Sequence, residues 1–186
     1  EPAWSEPLAL SDNAYLDYRP ILERGDDGSL LLVWFSNDGN QLIGSAAHPT
    51  QMHYAFWNEV DFDTATAVPF TFEHCFNFSL AYNGTEATLA FTKDMDGVLF
   101  PPEGSTAATT DDEEVFTTTY NGASWESPTR VTDDAVPDTG PQVVYAGDAA
   151  ELIWLRGDAL VRLLAARAPG RMGVHPCASP VPQLSV

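Results

Sequence analysis

Trp4-Ser-Glu-Pro-Leu-Ala-Leu-Ser-Asp-Asn-Ala-Tyr-Leu-Asp-Tyr-Arg-Pro20 lies without a gap on Trp125-Glu-Ser-Pro-Thr-Arg-Val-Thr-Asp-Asp-Ala-Val-Pro-Asp-Thr-Gly-Pro141. Trp4, Pro7, Asp12, Ala14, Asp17 and Pro20 recur as Trp125, Pro128, Asp133, Ala135, Asp138 and Pro141. A looser middle copy begins at Phe62. Val68 matches Leu10 and Val131, Phe78 takes the place of Pro20 and Pro141, and the aspartates are gone. Each copy is followed by a short run ending in an aromatic: Leu30-Leu-Leu-Val-Trp34, Ala87-Thr-Leu-Ala-Phe91 and Ala150-Glu-Leu-Ile-Trp154. The first landmark steps by 58 and 63 residues and the second by 57 and 63. Landmarks that drift together are the mark of duplicated structural units.

Within a unit the runs are short and β-rich. Turn pairs such as Asp27-Gly28, Asn83-Gly84 and Gly147-Asp148 fall between apolar runs and read as hairpins. Residues 142–145 read as an inner strand, 151–154 as a second, 53–57 or 115–120 as a third, and the tryptophan-led segments as the outermost. Four antiparallel strands in about 60 residues make a long propeller blade. The expected fold is therefore all-β: a partial β-propeller of about three four-stranded antiparallel blades. It forms one domain over residues 1–186, with repeats at about 4–61, 62–124 and 125–186. A β-sandwich is the alternative, although its strands have no reason to recur at one spacing. Residues 101–114 read as an inserted polar loop, and the leucine spacing of residues 159–168 also suits a helix.

Three blades cannot close a ring, which takes about four or more. A lone arc exposes two apolar flanks and free strand edges. The expectation is a homo-oligomer or a piece of a longer propeller. The opening strand, residues 4–10, would complete the last blade of a partner, although residues 179–185 weakly echo 127–132 and offer that blade a strand of its own.

Composition narrows the function classes. The chain has 186 residues, 44% hydrophobic and 11% aromatic, and carries 27 Asp and Glu against 8 Lys and Arg, a formal charge of −19. That balance disfavours nucleic acid and anionic membrane surfaces, both of which need clustered cations. The best apolar run, residues 159–166, contains Arg162 and falls well short of the roughly 20 residues of a membrane span. Glu1-Pro-Ala-Trp4 has neither the basic end nor the apolar stretch of a signal peptide, and would suit the mature end left by cleavage. Cys75 and Cys177 would form one disulfide in an oxidising compartment.

Trp-x-x-Pro, then Leu/Val-Ser/Thr-Asp, then Asp-x-x-Pro before a strand resembles the degenerate repeats of bacterial extracellular propellers in the broad sialidase/BNR-like group. The likeness spans about residues 4–158. It implies a secreted or cell-surface protein whose ligand face is built from the outer-to-inner and second-to-third strand loops. The group's Ser-x-Asp-x-Gly-x-x-Trp box is not met, because Trp34 lies too far downstream of Asp26-Asp-Gly28. A working sialidase also clamps its substrate carboxylate with three arginines beside a tyrosine nucleophile, and only the scattered Arg19, Arg24 and Arg156 are candidates here.

Both loop sets are acidic. Asp12, Asp17, Asp133 and Asp138 fall on the first, and Asp38, Asp94, Asp96 and Asp158 on the second. Calcium, a hard cation wanting six to eight oxygens, is the candidate cofactor at Asp12, Asp17, Asp94, Asp96, Asp133 and Asp138. The alternative is that aspartates make good turns. Trp34 and Trp154 are candidates to stack on sugar rings, with packing between blades as the alternative. Tyr15 and Tyr18, beside Asp17 and Arg19, complete the candidate ligand-binding set. Glu73-His74-Cys75 reads as a divergent structural loop. The expected function is a non-catalytic extracellular propeller segment that binds carbohydrate or protein through its acidic loops. The alternative is a fragment or subunit of a sialidase-like glycoside hydrolase.

Overall fold

The computed structural model describes residues 6–72, 74–95, 113–147 and 149–164, which contain eleven strands and no helix. Strands β1 (Leu16–Arg24), β2 (Leu30–Asn37), β3 (Thr50–Phe56) and β4 (Thr66–Phe72) form the first sheet, in that order. The second sheet holds β5 (Cys75–Tyr82), β6 (Ala87–Asp94), β7 (Glu113–Tyr120) and β8 (Thr129–Arg130), and the third β9 (Asp138–Ala146), β10 (Ala149–Arg156) and β11 (Ala159–Leu164). Every pairing is antiparallel and joins neighbours along the chain, so each sheet is a meander and none closes into a barrel. The all-β, three-unit fold expected from the repeat is present, with three strands in the third sheet among the described residues.

Turn chemistry sets the hairpins. Gly28, Gly84 and Gly147 hold φ of 89°, 100° and 66° at the β1–β2, β5–β6 and β9–β10 turns, a region that only glycine enters without strain. The first two turns abut: a Cβ on Gly25 would lie 2.4 Å from Gly84 Cα.

Alternation sends successive side chains of a strand to opposite faces, and here it preserves parity from repeat to repeat. On β2, Leu31, Val33 and Phe35 enter a buried cluster with Phe78, Leu80, Leu89 and Phe91 of the second sheet. Phe91 meets Phe72 edge-on at 4.8 Å, the geometry that the ring quadrupole favours. Its neighbour Ala90 turns the other way, into a second cluster with Val115, Val143, Leu152 and Trp154. Phe91 and Trp154 thus both face the sheet preceding their own. Trp34, the third member of the series, lies on the face of β2 opposite Val33 and Phe35, and no sheet covers that face among the described residues.

The other landmark is equally regular. Register shifts interrupt β1/β2 between Tyr18 and Ile21, and β9/β10 opposite Ile153 and Leu155. The bulged residues hold positive φ, Arg19 at 52° and Gly140 at 59°. Each precedes the repeated proline, Pro20 or Pro141, whose missing N–H suits a bulge. Phe62 and Trp125, the aligned repeat starts, form matching bridges with Trp57 and Tyr120. The tryptophan-led segment therefore closes the sheet before it, since Trp125 leads into β8 of the second sheet. Trp4 lies outside the described residues.

Two local expectations change. Residues 159–164 pair with β10 as a strand, so their leucines alternate across a sheet and do not line a helix. Glu113 and Glu114 pair with Asp94 and Lys93 and belong to β7, which shortens the expected loop at its end.

Candidate functional site

A cleft of about 470 Å³ opens on the Trp34 face of the first sheet, between residues 8–13 and residues 61–65 of the β3–β4 hairpin. Strand register builds its floor. Trp34 pairs with His53 across β2 and β3, and their rings stack at 5.7 Å and 23°. Asp17, paired with Ser36, comes from the start of β1 onto the same face. Leu22 and Leu32, also paired, continue that face, and Leu22 is 53% exposed.

The floor is polar and incompletely bonded. Asp17 Oδ1 and His53 Nδ1 are buried atoms without a hydrogen-bond partner. Burial pushes the His53 pKa below its ordinary 6.5, and the Asp17 carboxylate pulls weakly the other way. His53 therefore stands neutral near pH 7. Asp12, Asp61 and Asp63 are exposed on the walls, and among the described residues no lysine or arginine lines the cleft. Such a surface receives hydrogen-bond donors and cations and repels anions.

The structure brings Asp12, Asp17 and Trp34 of the sequence candidates to this cleft and places the other described candidates elsewhere. Tyr15 is exposed just before β1. Tyr18 sits within β1 and packs into the core, 5.2 Å from the Phe35 ring, with its hydroxyl 3.4 Å from Thr50 Oγ1. Arg19 is an exposed bulge residue. Trp154 is buried between the second and third sheets, and its Nε1 donates to Asp138 Oδ1 at 2.6 Å. Asp133 pairs with Arg130 at 2.9 Å, Asp94 is buried at the end of β6, and Asp96 lies outside the described residues. Among the described residues no group of three or more His, Cys, Asp or Glu is placed to hold a metal ion.

The three candidate arginines do not converge. Arg19 and Arg24 lie five residues apart on β1, about 15 Å at strand rise, and Arg156 on β10 is paired with Asp134 at 2.5 Å. Asp134 also donates its backbone N–H to Glu114 Oε1, which accepts from Arg130 as well. That network fastens the third sheet to the second. Cys75 is buried and has no disulfide partner among the described residues; burial pushes its thiol pKa up to about 12, which leaves the unbridged thiol protonated at neutral pH. Its expected partner, Cys177, lies outside the described residues.

Sequence reasoning missed His53, Asp61 and Asp63. His53 is recognisable only once the β2/β3 register sets it opposite Trp34, and the two aspartates only once their hairpin folds back along the face. Compared with family models and with curated proteins, the sequence matches none.

Proposed function

We propose that this chain is a non-catalytic segment of β-propeller type that works by binding protein, and that the Trp34 face of its first sheet is the binding surface. The three sheets act as blades set flank to flank, with their first strands nearest the common axis. In support, β5 touches both β1 and β9. One observation carries the reading: Phe91 and Trp154 are each covered by a preceding sheet, and Trp34 occupies the same repeat position with its face uncovered among the described residues. Exposed Leu22 beside a buried tryptophan suits a sheet-sized protein partner. Among the described residues the scattered arginines offer no clamp for a sialic-acid carboxylate. The resemblance to bacterial extracellular repeats supports a secreted or cell-surface setting.

Covalent footprinting tests this reading. Leu22, 53% exposed, should be protected in the cells that make the protein and reactive in dilute purified protein; equal labelling in both would overturn it. A second reading, carbohydrate in the cleft, draws on the unpartnered Asp17 Oδ1 and His53 Nδ1, which suit sugar hydroxyls. Glycan arrays with and without a chelator test it and, through the chelator arm, calcium at Asp12 and Asp17. Saturable binding lost on Asp17→Ala would establish it.

A further inference from the structure

We infer that the partner on the Trp34 face is the third sheet of a second copy of this chain. This rests on the reading of that face as a protein-binding surface. Each internal junction joins the following face of one sheet to the preceding face of the next. In the first, Val33 and Phe35 of β2 share a buried cluster with Phe91 of β6; in the second, Ala90 of β6 shares one with Trp154 of β10. Two faces lack such a mate among the described residues: the preceding face of the first sheet, with Trp34, and the following face of the third.

That second face carries exposed aliphatic side chains around the ion pair of Glu151 and Arg162. Residues paired across strands share a face, so Leu155 with Leu160 and Val144 with the position of Glu151 all point away from Trp154. Val144 is 54%, Leu155 46%, Leu160 72% and Leu164 56% exposed. By repeat position, Ile153 and Leu155 stand where β2 has Val33 and Phe35, which face the second sheet in the cluster that holds Phe91. Trp34 stands where β6 has Phe91. The end faces therefore repeat the two sides of a junction the chain already makes within itself.

Such a joint is heterologous, and two three-sheet arcs joined at both ends would close a ring of six, within the usual four to eight. The partner's third sheet would cover Leu22 and the mouth of the cleft. With −19 charges on each copy, long-range repulsion opposes the encounter, so association should strengthen as salt screens it.

Light scattering after gel filtration tests this on the full chain. The wild type should run at twice 20.2 kDa, more completely at high salt. Leu22→Glu and Leu155→Glu, both surface changes, should each give monomers because each spoils one side of the joint; Leu160→Glu serves as an independent spoiler of the second side. An equimolar mixture of Leu22→Glu and Leu155→Glu retains one intact pair of faces. It should form a one-to-one dimer, about 10²–10⁴-fold weaker than the doubly joined wild type. A wild type that stays monomeric at high concentration and salt would overturn the inference; if Leu22 were still protected in cells, the protein-binding reading would survive with a different partner. Dimers that persist in either single variant, or a mixture that stays monomeric while the wild type dimerises, would overturn it too.

Discussion

The indole Nε1 of Trp154 donates to Asp138 Oδ1 at 2.6 Å between two sheets, where Asp138 is 0% exposed. Removing a buried acceptor costs its partner's desolvation with nothing in return. Asp138→Ala should destabilise the fold by about 1–3 kcal/mol in urea unfolding, and Asp138→Asn, which keeps an acceptor, by less; equal losses would contradict the bond. In the first repeat the corresponding Asp17 Oδ1 has no partner, so the same aspartate is a buried lock in one copy and part of an open cleft floor in another. The repeat made that equivalence legible, but the difference depends on what covers each face, which composition does not record. His53 gives a pH signature. Its folded pKa lies below 6.5 because burial disfavours the charged ring, so the unfolded chain binds the proton first as pH falls. The stability conferred by the neutral ring is complete above about 6.5 and is lost between there and the folded pKa. The wild type should therefore lose stability relative to His53→Gln between pH 7.5 and 5.5, and a flat difference would sink the assignment.

The bulges show how an element inherits its sequence. Arg19 and Gly140 occupy one repeat position at φ 52° and 59°, and a Cβ in that region costs roughly 1–2 kcal/mol. Nothing lies within 4 Å of a Cβ on Gly140, so the strain there is of the backbone alone. Arg19→Gly should stabilise the chain, by up to about 1 kcal/mol once glycine's larger unfolded-state entropy is subtracted. Thermal unfolding checks this, and a lower melting temperature would mean that the arginine side chain makes a compensating contact. Hairpin turns were readable because Asp-Gly and Asn-Gly encode positive φ locally. The strand at Ala159–Leu164 was not, because its leucines fit either period and only pairing with β10 decides. The acidic loops were readable as turns and not as partners: Asp133 goes to Arg130, three residues back, and Asp134 to Arg156, a pairing made only when β10 assembles beside the β8–β9 loop.

Across the whole molecule, one rule organises the packing: the aromatic that ends each second-strand run faces the preceding sheet. Phe91 and Trp154 obey it within buried clusters, and Trp34 keeps the same parity at a cleft with no sheet before it among the described residues. The rule was half visible in sequence, as a shared spacing of large apolar residues, because a strand covered on both faces must carry them at fixed parity. Which way the residues face was not visible, since a spacing fixes a repeat and leaves the direction of stacking open. Both the binding surface and its proposed self-complement follow from that direction. A crystal structure of the chain is the most direct test. It should superpose the three second strands with residues 34, 91 and 154 coincident, the Phe91 ring against Phe72 and Trp154 against the second sheet. Phe91 turned toward the third sheet, or Trp34 packed against the second, would contradict the account.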